Sequence, residues 1–155
     1  MALYSLAGTV VSIGTTAAID FTSDSSAKTA FAADTYTAIA KTEILSDFGD
    51  TATDVAFTGL ADSRAQHLKG STDGGFLEIT CAEASTDAGQ QAVKAASAAG
   101  VQSEFNFKIA WPNGDTGYVR GPVMDFSRVN GTGPNNVMKR KFRVGNNYGE
   151  YVVLA

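Results

Sequence analysis

The chain has 155 residues, of which 44% are hydrophobic and only 18% charged, with a net charge of −4. That composition excludes a disordered chain, and the acidic balance excludes tight binding to a phosphate backbone, which needs clustered positive charge. A single cysteine, Cys81, excludes an internal disulfide or a cysteine-cluster metal site. No apolar run is long enough to cross a membrane, and no Lys or Arg precedes Lys28 to start a secretory signal. The length suggests one domain, 1–155.

Charge is spread unevenly. Residues 1–90 carry four basic and twelve acidic groups, and residues 91–155 carry eight basic and four acidic groups. Either the two halves neutralise each other within one subunit, or they attract head to tail between subunits.

Taken in chain order, Thr9 to Ile13 is the first strand candidate. Asp20 to Ala33, rich in Ser, Asp and Ala, is expected to be a loop. Thr35 to Leu45 has β-formers and some alternation. Ser46 to Asp54 is polar and acidic, with Phe48 expected to be exposed in its middle. Val55 to Leu60 and Ala65 to Gly70 are strand candidates within a long excursion. Phe76 to Cys81 alternates, with Leu77, Ile79 and Cys81 on one face.

The period then changes. Thr86 to Ala99 predicts a helix over about residues 87–99, opened by an Asp87–Gln90 capping box and closed by Gly100. Ser103 to Trp111 returns to alternation, and Phe105, Phe107, Ile109 and Trp111 are assigned to the core. Asn113-Gly114 predicts a hairpin with both central residues at positive φ. Gly117 to Arg128 is the returning strand. Val137 to Val144 follows, with Lys139, Lys141 and Arg143 on one face, and Tyr151 to Leu154 is a terminal strand. About eight strands and one helix make a mainly β chain: a β-sandwich or barrel-like body with one flanking α-helix.

Chemistry is hard to find. His67 is the only histidine, and no nucleophile motif surrounds it or Cys81. Asp47, Asp50 and Asp54 lack the density of a calcium loop and the aromatic platform of a glycosidase. Gly74-Gly75 lacks the rest of a phosphate loop. No catalytic, metal or cofactor-binding residue is assigned, and the chain is read as not an enzyme. Phe48 and the apolar N-terminal arm Ala2, Leu3, Tyr4 and Leu6 are costly to leave in water, which suggests burial by a partner.

Four segments in order carry a resemblance. Ala88-Gly89-Gln90-Gln91-Ala92-Val93 opens a helix. Trp111-Pro112-Asn113-Gly114 ends an alternating strand, Tyr118-Val119-Arg120-Gly121-Pro122-Val123 follows, and Arg143-Val144 lies on a late strand. Over roughly residues 76–146 the chain resembles the tail tube (major tail) proteins of long-tailed, non-contractile bacteriophages, the lambda-like group. The resemblance implies a virion protein assembled in the host cytoplasm. It would form hexameric rings stacked head to tail into a tube that passes double-stranded DNA without binding it. Other tail proteins would sit at the tube ends, with no cofactor and no membrane. The chain ends at Ala155, so the additional immunoglobulin-like C-terminal domain of the lambda-like form is not expected. Under this reading Ala2, Leu3, Tyr4, Leu6, Asp47, Phe48, Asp50 and Asp54 contact the next ring, and Lys139, Lys141 and Arg143 pair with those acids. The alternatives are another ring-forming tail or secretion-tube component, or a monomeric β-sandwich binding module.

Overall fold

The computed structural model describes residues 2–155. Strand β1 (Val10–Ile13) leads into helix α1 (Asp24–Ala33), then β2 (Thr37–Ala38), β3 (Thr42–Leu45), β4 (Thr51–Phe57), β5 (Gln66–Asp73) and β6 (Phe76–Ala82). Helix α2 (Ala88–Ala96) is followed by β7 (Phe105–Ala110), β8 (Thr116–Gly121), β9 (Ser127–Val129), β10 (Lys139–Gly145) and β11 (Tyr151–Val153). The chain is mainly β, with more and shorter strands than expected and a second helix.

The strands form three antiparallel sheets. One has the order β11-β8-β7-β1-β2, another β3-β6-β10-β9, and β4 pairs only with β5. The two larger sheets enclose the core. Val11, Ile13, Phe107, Ile109 and Val119 come from the first, and Leu77, Ile79, Cys81, Phe142 and Val144 from the second. Alternation dictates this, since every second side chain of a strand faces the same way. The body is an open sandwich and no barrel closes. Phe107 and Ile109 are fully buried, whereas Phe105 and Trp111 are half-buried at its margins.

The expected loop 20–33 is largely helix α1. Its N-cap is Ser23, whose hydroxyl accepts the N–H of Ser26, and Ala27 and Phe31, one turn apart, bury the same face. Phe31 stacks on Tyr118 at 5.2 Å between centroids, on the side of β8 opposite the core residue Val119.

The expected single strand 35–45 is two strands in different sheets. Lys41 adopts φ 60, a left-handed conformation that ends β-pairing, and the chain crosses there from β2 to β3.

Helix α2 is shorter than expected at its C-terminal end. Asp87 caps it by accepting the Gln90 N–H, and Ser97 ends it. Gly100, at φ 88, belongs to the turn after the helix. Only half of the expected capping box forms, because the Gln90 side chain is used elsewhere. Its Nε2 donates to the carbonyls of Ala40 and Ala82, and its Oε1 accepts from the Ala84 N–H. Gly89 is equally constrained, as a Cβ there would lie 2.2 Å from the Ala38 carbonyl oxygen. These two residues let α2 press Val93 and Ala96 into the core beside β1 and β2.

The β7–β8 turn also differs from expectation. The turn sits one residue earlier, with Pro112, its φ fixed near −65°, and Asn113 as the central pair, so of Asn113 and Gly114 only Gly114, at φ 94, is left-handed. The Gly114 N–H donates to the Trp111 carbonyl and the Trp111 N–H to the Asp115 carbonyl. This is a type I turn followed by a left-handed glycine.

Candidate functional site

Strands β4 and β5 stand apart from the sandwich. Their register runs from Thr51↔Asp73 to Phe57↔Gln66, with a bulge between Ala52 and Asp54. Both faces of this hairpin meet solvent. Val55, Phe57 and Leu68 are exposed, and Leu60 at the tip is as exposed as in an extended chain (110%). A two-stranded hairpin with no third layer is marginal in water, and apolar groups grouped this way mark an interaction surface. His67 sits here, its Nδ1 2.9 Å from Asp54 Oδ2, with both side chains well exposed. A lone solvated pair with no nucleophile beside it is no catalytic centre. The strand candidates were legible in the sequence, but Val55, Phe57, Leu60 and Leu68 were not singled out as functional. Val55 and Phe57 share one face with Leu68 opposite Val55, a pattern that local sequence cannot tell from a half-buried strand.

The N-terminal arm is likewise open. Leu3 is 91% exposed, and Tyr4 and Leu6 remain largely in solvent, with Ala2 exposed beside them. Leu6 nevertheless helps line a shallow cleft with Leu45, Phe48 and Trp111.

Phe48 is not the exposed anchor expected from its polar surroundings. It is half-buried and stacks on Trp111, with rings 3° from parallel and centroids 6.2 Å apart. Its loop is held by Ser46, whose hydroxyl accepts the Glu78 N–H while its own N–H donates to the Glu78 carbonyl. Asp47 and Asp50 project from this loop with no ion-pair partner among the described residues.

The basic row on β10 finds its partners within the subunit. Lys139 pairs with Glu43 at 2.7 Å, Lys141 with Glu78 at 3.5 Å and Arg143 with Asp125 at 3.2 Å. None of the three pairs with Asp47, Asp50 or Asp54 within the subunit, although Arg143 lies over the ring of Phe76, which borders the pocket of Asp47 and Asp50. Arg128 and Arg140 both reach Glu83. Four second-half cations, Arg128, Lys139, Arg140 and Lys141, thus pair with three first-half carboxylates, Glu43, Glu78 and Glu83, so part of the charge split is neutralised internally. In partly solvated surroundings such pairs contribute little each, so they set register more than stability.

Behind the first sheet lies a polar network. Buried Asn106 donates to Asp34 Oδ2 and the Ala17 carbonyl, and its Oδ1 accepts from Arg120. Burial alone would raise the Asp34 pKa. Hydrogen bonds from the Thr15 hydroxyl, Asn106 and the backbone N–H groups of Thr15 and Thr35 outweigh it and hold the carboxyl below its ordinary range. This network ties the strap 14–20 to the sheet. Cys81 is fully buried, and burial raises its thiol pKa, so it is not a poised nucleophile. No group of three or more metal-ligating side chains occurs among the described residues, and none of their helices is long and apolar enough to cross a membrane.

The described residues form a two-sheet antiparallel body with an apolar hairpin set apart from it. The family profile of phage tail tube proteins matches residues 2–147, and the chain belongs to that family. It is a structural family, not one of enzymes, and its place is the virion tail. A search of the curated proteins found no match. Among solved structures the fold is similar to a chain in the six-fold symmetrised cryo-EM structure of the anti-feeding prophage baseplate. The two share 11% identity at a TM-score of 0.66, over 99% of this chain and 98% of that one.

Proposed function

We propose that this subunit forms hexameric rings that stack into the tail tube of a long-tailed, non-contractile, lambda-like phage, the conduit through which double-stranded DNA is ejected. The observation that carries the reading is the β4–β5 hairpin. It holds Val55, Phe57, Leu60 and Leu68 in water with no intramolecular cover, a cost that a neighbouring copy relieves. A contact between unlike surfaces that does not close on itself generates a filament. Six-fold symmetry was applied to the assembly containing the like-folded prophage chain, which supports six subunits per ring. A net charge of −4 per copy, repeated around a lumen, repels phosphate and leaves no counterion-release gain to hold passing DNA. Assembly takes place in the host cytoplasm, and other tail proteins occupy the tube ends. Ala2, Leu3, Tyr4 and Leu6 join the hairpin as inter-ring contacts.

The test removes the hairpin. Thr51 and Asp73 are directly opposed, about 5 Å apart at Cα, so residues 52–72 are replaced by two glycines. The shortened subunit is expected to fold as a monomer and to give no tubes by electron microscopy at concentrations where the full chain forms them. Tubes of normal length from the shortened chain would refute the assignment.

A further inference from the structure

The sandwich has two differently charged ends. Strand β10 runs from Lys139, opposite Ala82, to Gly145, opposite Phe76, a span of about 20 Å at ~3.3 Å per residue. At its start a cavity of about 210 Å³ lies between α2, β9 and β10. Lys94, Arg128 and Arg140 surround it with a single carboxylate, Glu83, among them. Arg128 is held at 2.8 Å by Glu83. The Arg140 guanidinium lies over the Phe126 ring at 4.1 Å, and its Nε is buried without a hydrogen-bond partner. Lys94 forms no ion pair among the described residues. Arg140 also lies 3.8 Å from Glu83 and donates to the Phe126 carbonyl, so three cations surround the cavity with one carboxylate and its net charge is positive.

The far end of β10 is the reverse. Asp47 and Asp50 lie with Phe48 beside Gly74–Phe76, and Glu150 shares a cleft with Asp47 and Phe48. None of the three acids forms an ion pair among the described residues. Their loop is held in place by Ser46 and by the Phe48–Trp111 stack, so it presents its charge from a fixed platform.

We infer that the Lys94–Arg128–Arg140 cavity is the socket for the Asp47–Asp50 loop of a second copy stacked on the same axis. Complementary charge at opposite ends of one subunit orients successive copies in one direction and opposes the reversed stacking, in which like ends would meet. Lys139, Lys141 and Arg143, first expected to serve this role, each have a carboxylate of their own, whereas around the cavity Arg128 and Arg140 share the single carboxylate Glu83 and Lys94 forms no ion pair among the described residues. This inference rests on the tube reading and assigns the partner surface that the hairpin alone leaves open.

The experiment uses the full chain with Lys94→Glu, with Asp47→Lys, and with both changes together. Lys94 and Asp47 are exposed and form no ion pair among the described residues, so thermal unfolding of dilute subunit should stay close to that of the unmodified chain, with Lys94→Glu losing only the small charge–dipole contact at the end of α2. Each single reversal is expected to raise the critical concentration for tube growth at low salt about tenfold or more, the effect of losing one close charge pair. The double reversal is expected to restore it to within a few-fold. Rings that no longer stack, seen with either single variant, also support the socket. Single variants that grow like the unmodified chain at low salt overturn it, as does a double variant no better than the singles. If the unmodified chain forms no tubes at any concentration, the tube reading itself fails, and the socket with it.

Discussion

Replacing Gln90 by Met tests the physical meaning of the Gly89-Gln90 pair at the head of α2. The two side chains have similar length, but Met removes two hydrogen bonds donated by Nε2, at 3.0 Å to Ala40 and 2.8 Å to Ala82, and one accepted at 2.9 Å from Ala84. Each net hydrogen bond contributes about 1 kcal/mol, and a partner left fully buried costs about 1–3 kcal/mol. Water reaches the three backbone groups in part, so the lower figure applies to each, and the loss is about 3 kcal/mol. For a chain of this size that lowers the melting temperature by roughly 6–12 °C. Urea unfolding should be followed by circular dichroism in dilute protein, because association would add stability of its own. Gln90→Glu should be worse than Met, since it turns both donors into a carboxylate facing two carbonyls. A Met variant within about 0.5 kcal/mol of the unmodified chain, with the same urea slope, would refute the view that Gln90 anchors the helix.

Phe57→Ser together with Leu60→Ser should leave monomer unfolding unchanged, since neither ring nor methyls contact the core, yet should abolish sedimentable polymer; unaltered pelleting would remove the hairpin tip from the interface. Gly121→Ala should give insoluble protein or a collapsed circular dichroism signal, because the new Cβ would lie 1.5 Å from the Gly145 carbonyl oxygen, a backbone atom; a soluble, cooperatively folding variant would contradict that packing. Asp34 has a folded pKa below its ordinary 3.8, so its contribution is present above the unfolded pKa and fades as pH falls through the lower folded value. Asp34→Asn should therefore lose stability near pH 6 and flatten the acid limb of a melting-temperature profile below about pH 4; parallel profiles for the two chains would exclude this carboxylate from acid unfolding.

The sandwich was legible wherever burial is one-sided. Leu77, Ile79 and Cys81 alternate on β6, as do Phe107 and Ile109 on β7, and all five are fully buried. Helix α1 escaped notice because its buried face is only Ala27 and Phe31, too few for a clear helical period, in a Ser- and Asp-rich segment that also suits a turn. The readable trace was the pair of residues one turn apart, preceded by Ser23. The crossing at Lys41 left no glycine to mark it, and the polar company of Phe48 hid its contact with Trp111, 63 residues away in sequence. The face carrying Lys139, Lys141 and Arg143 was readable from alternation alone. Their partners were not, since Glu43, Glu78 and Asp125 are set by which strands and loops lie side by side, and local sequence does not encode that.

The hairpin's separation from the core also gives the molecule two independent stability scales. Opening β4 and β5 exposes no core residue, so their amide protons can exchange with solvent without global unfolding, while those of β6, β7 and β10 exchange only when the sandwich opens. Substitutions in the hairpin then escape any selection acting on folding and are judged only when subunits meet. The amides of Val55 and Leu68 accordingly serve as a reporter: fast exchange marks a free subunit, and slow exchange marks one held by its neighbours.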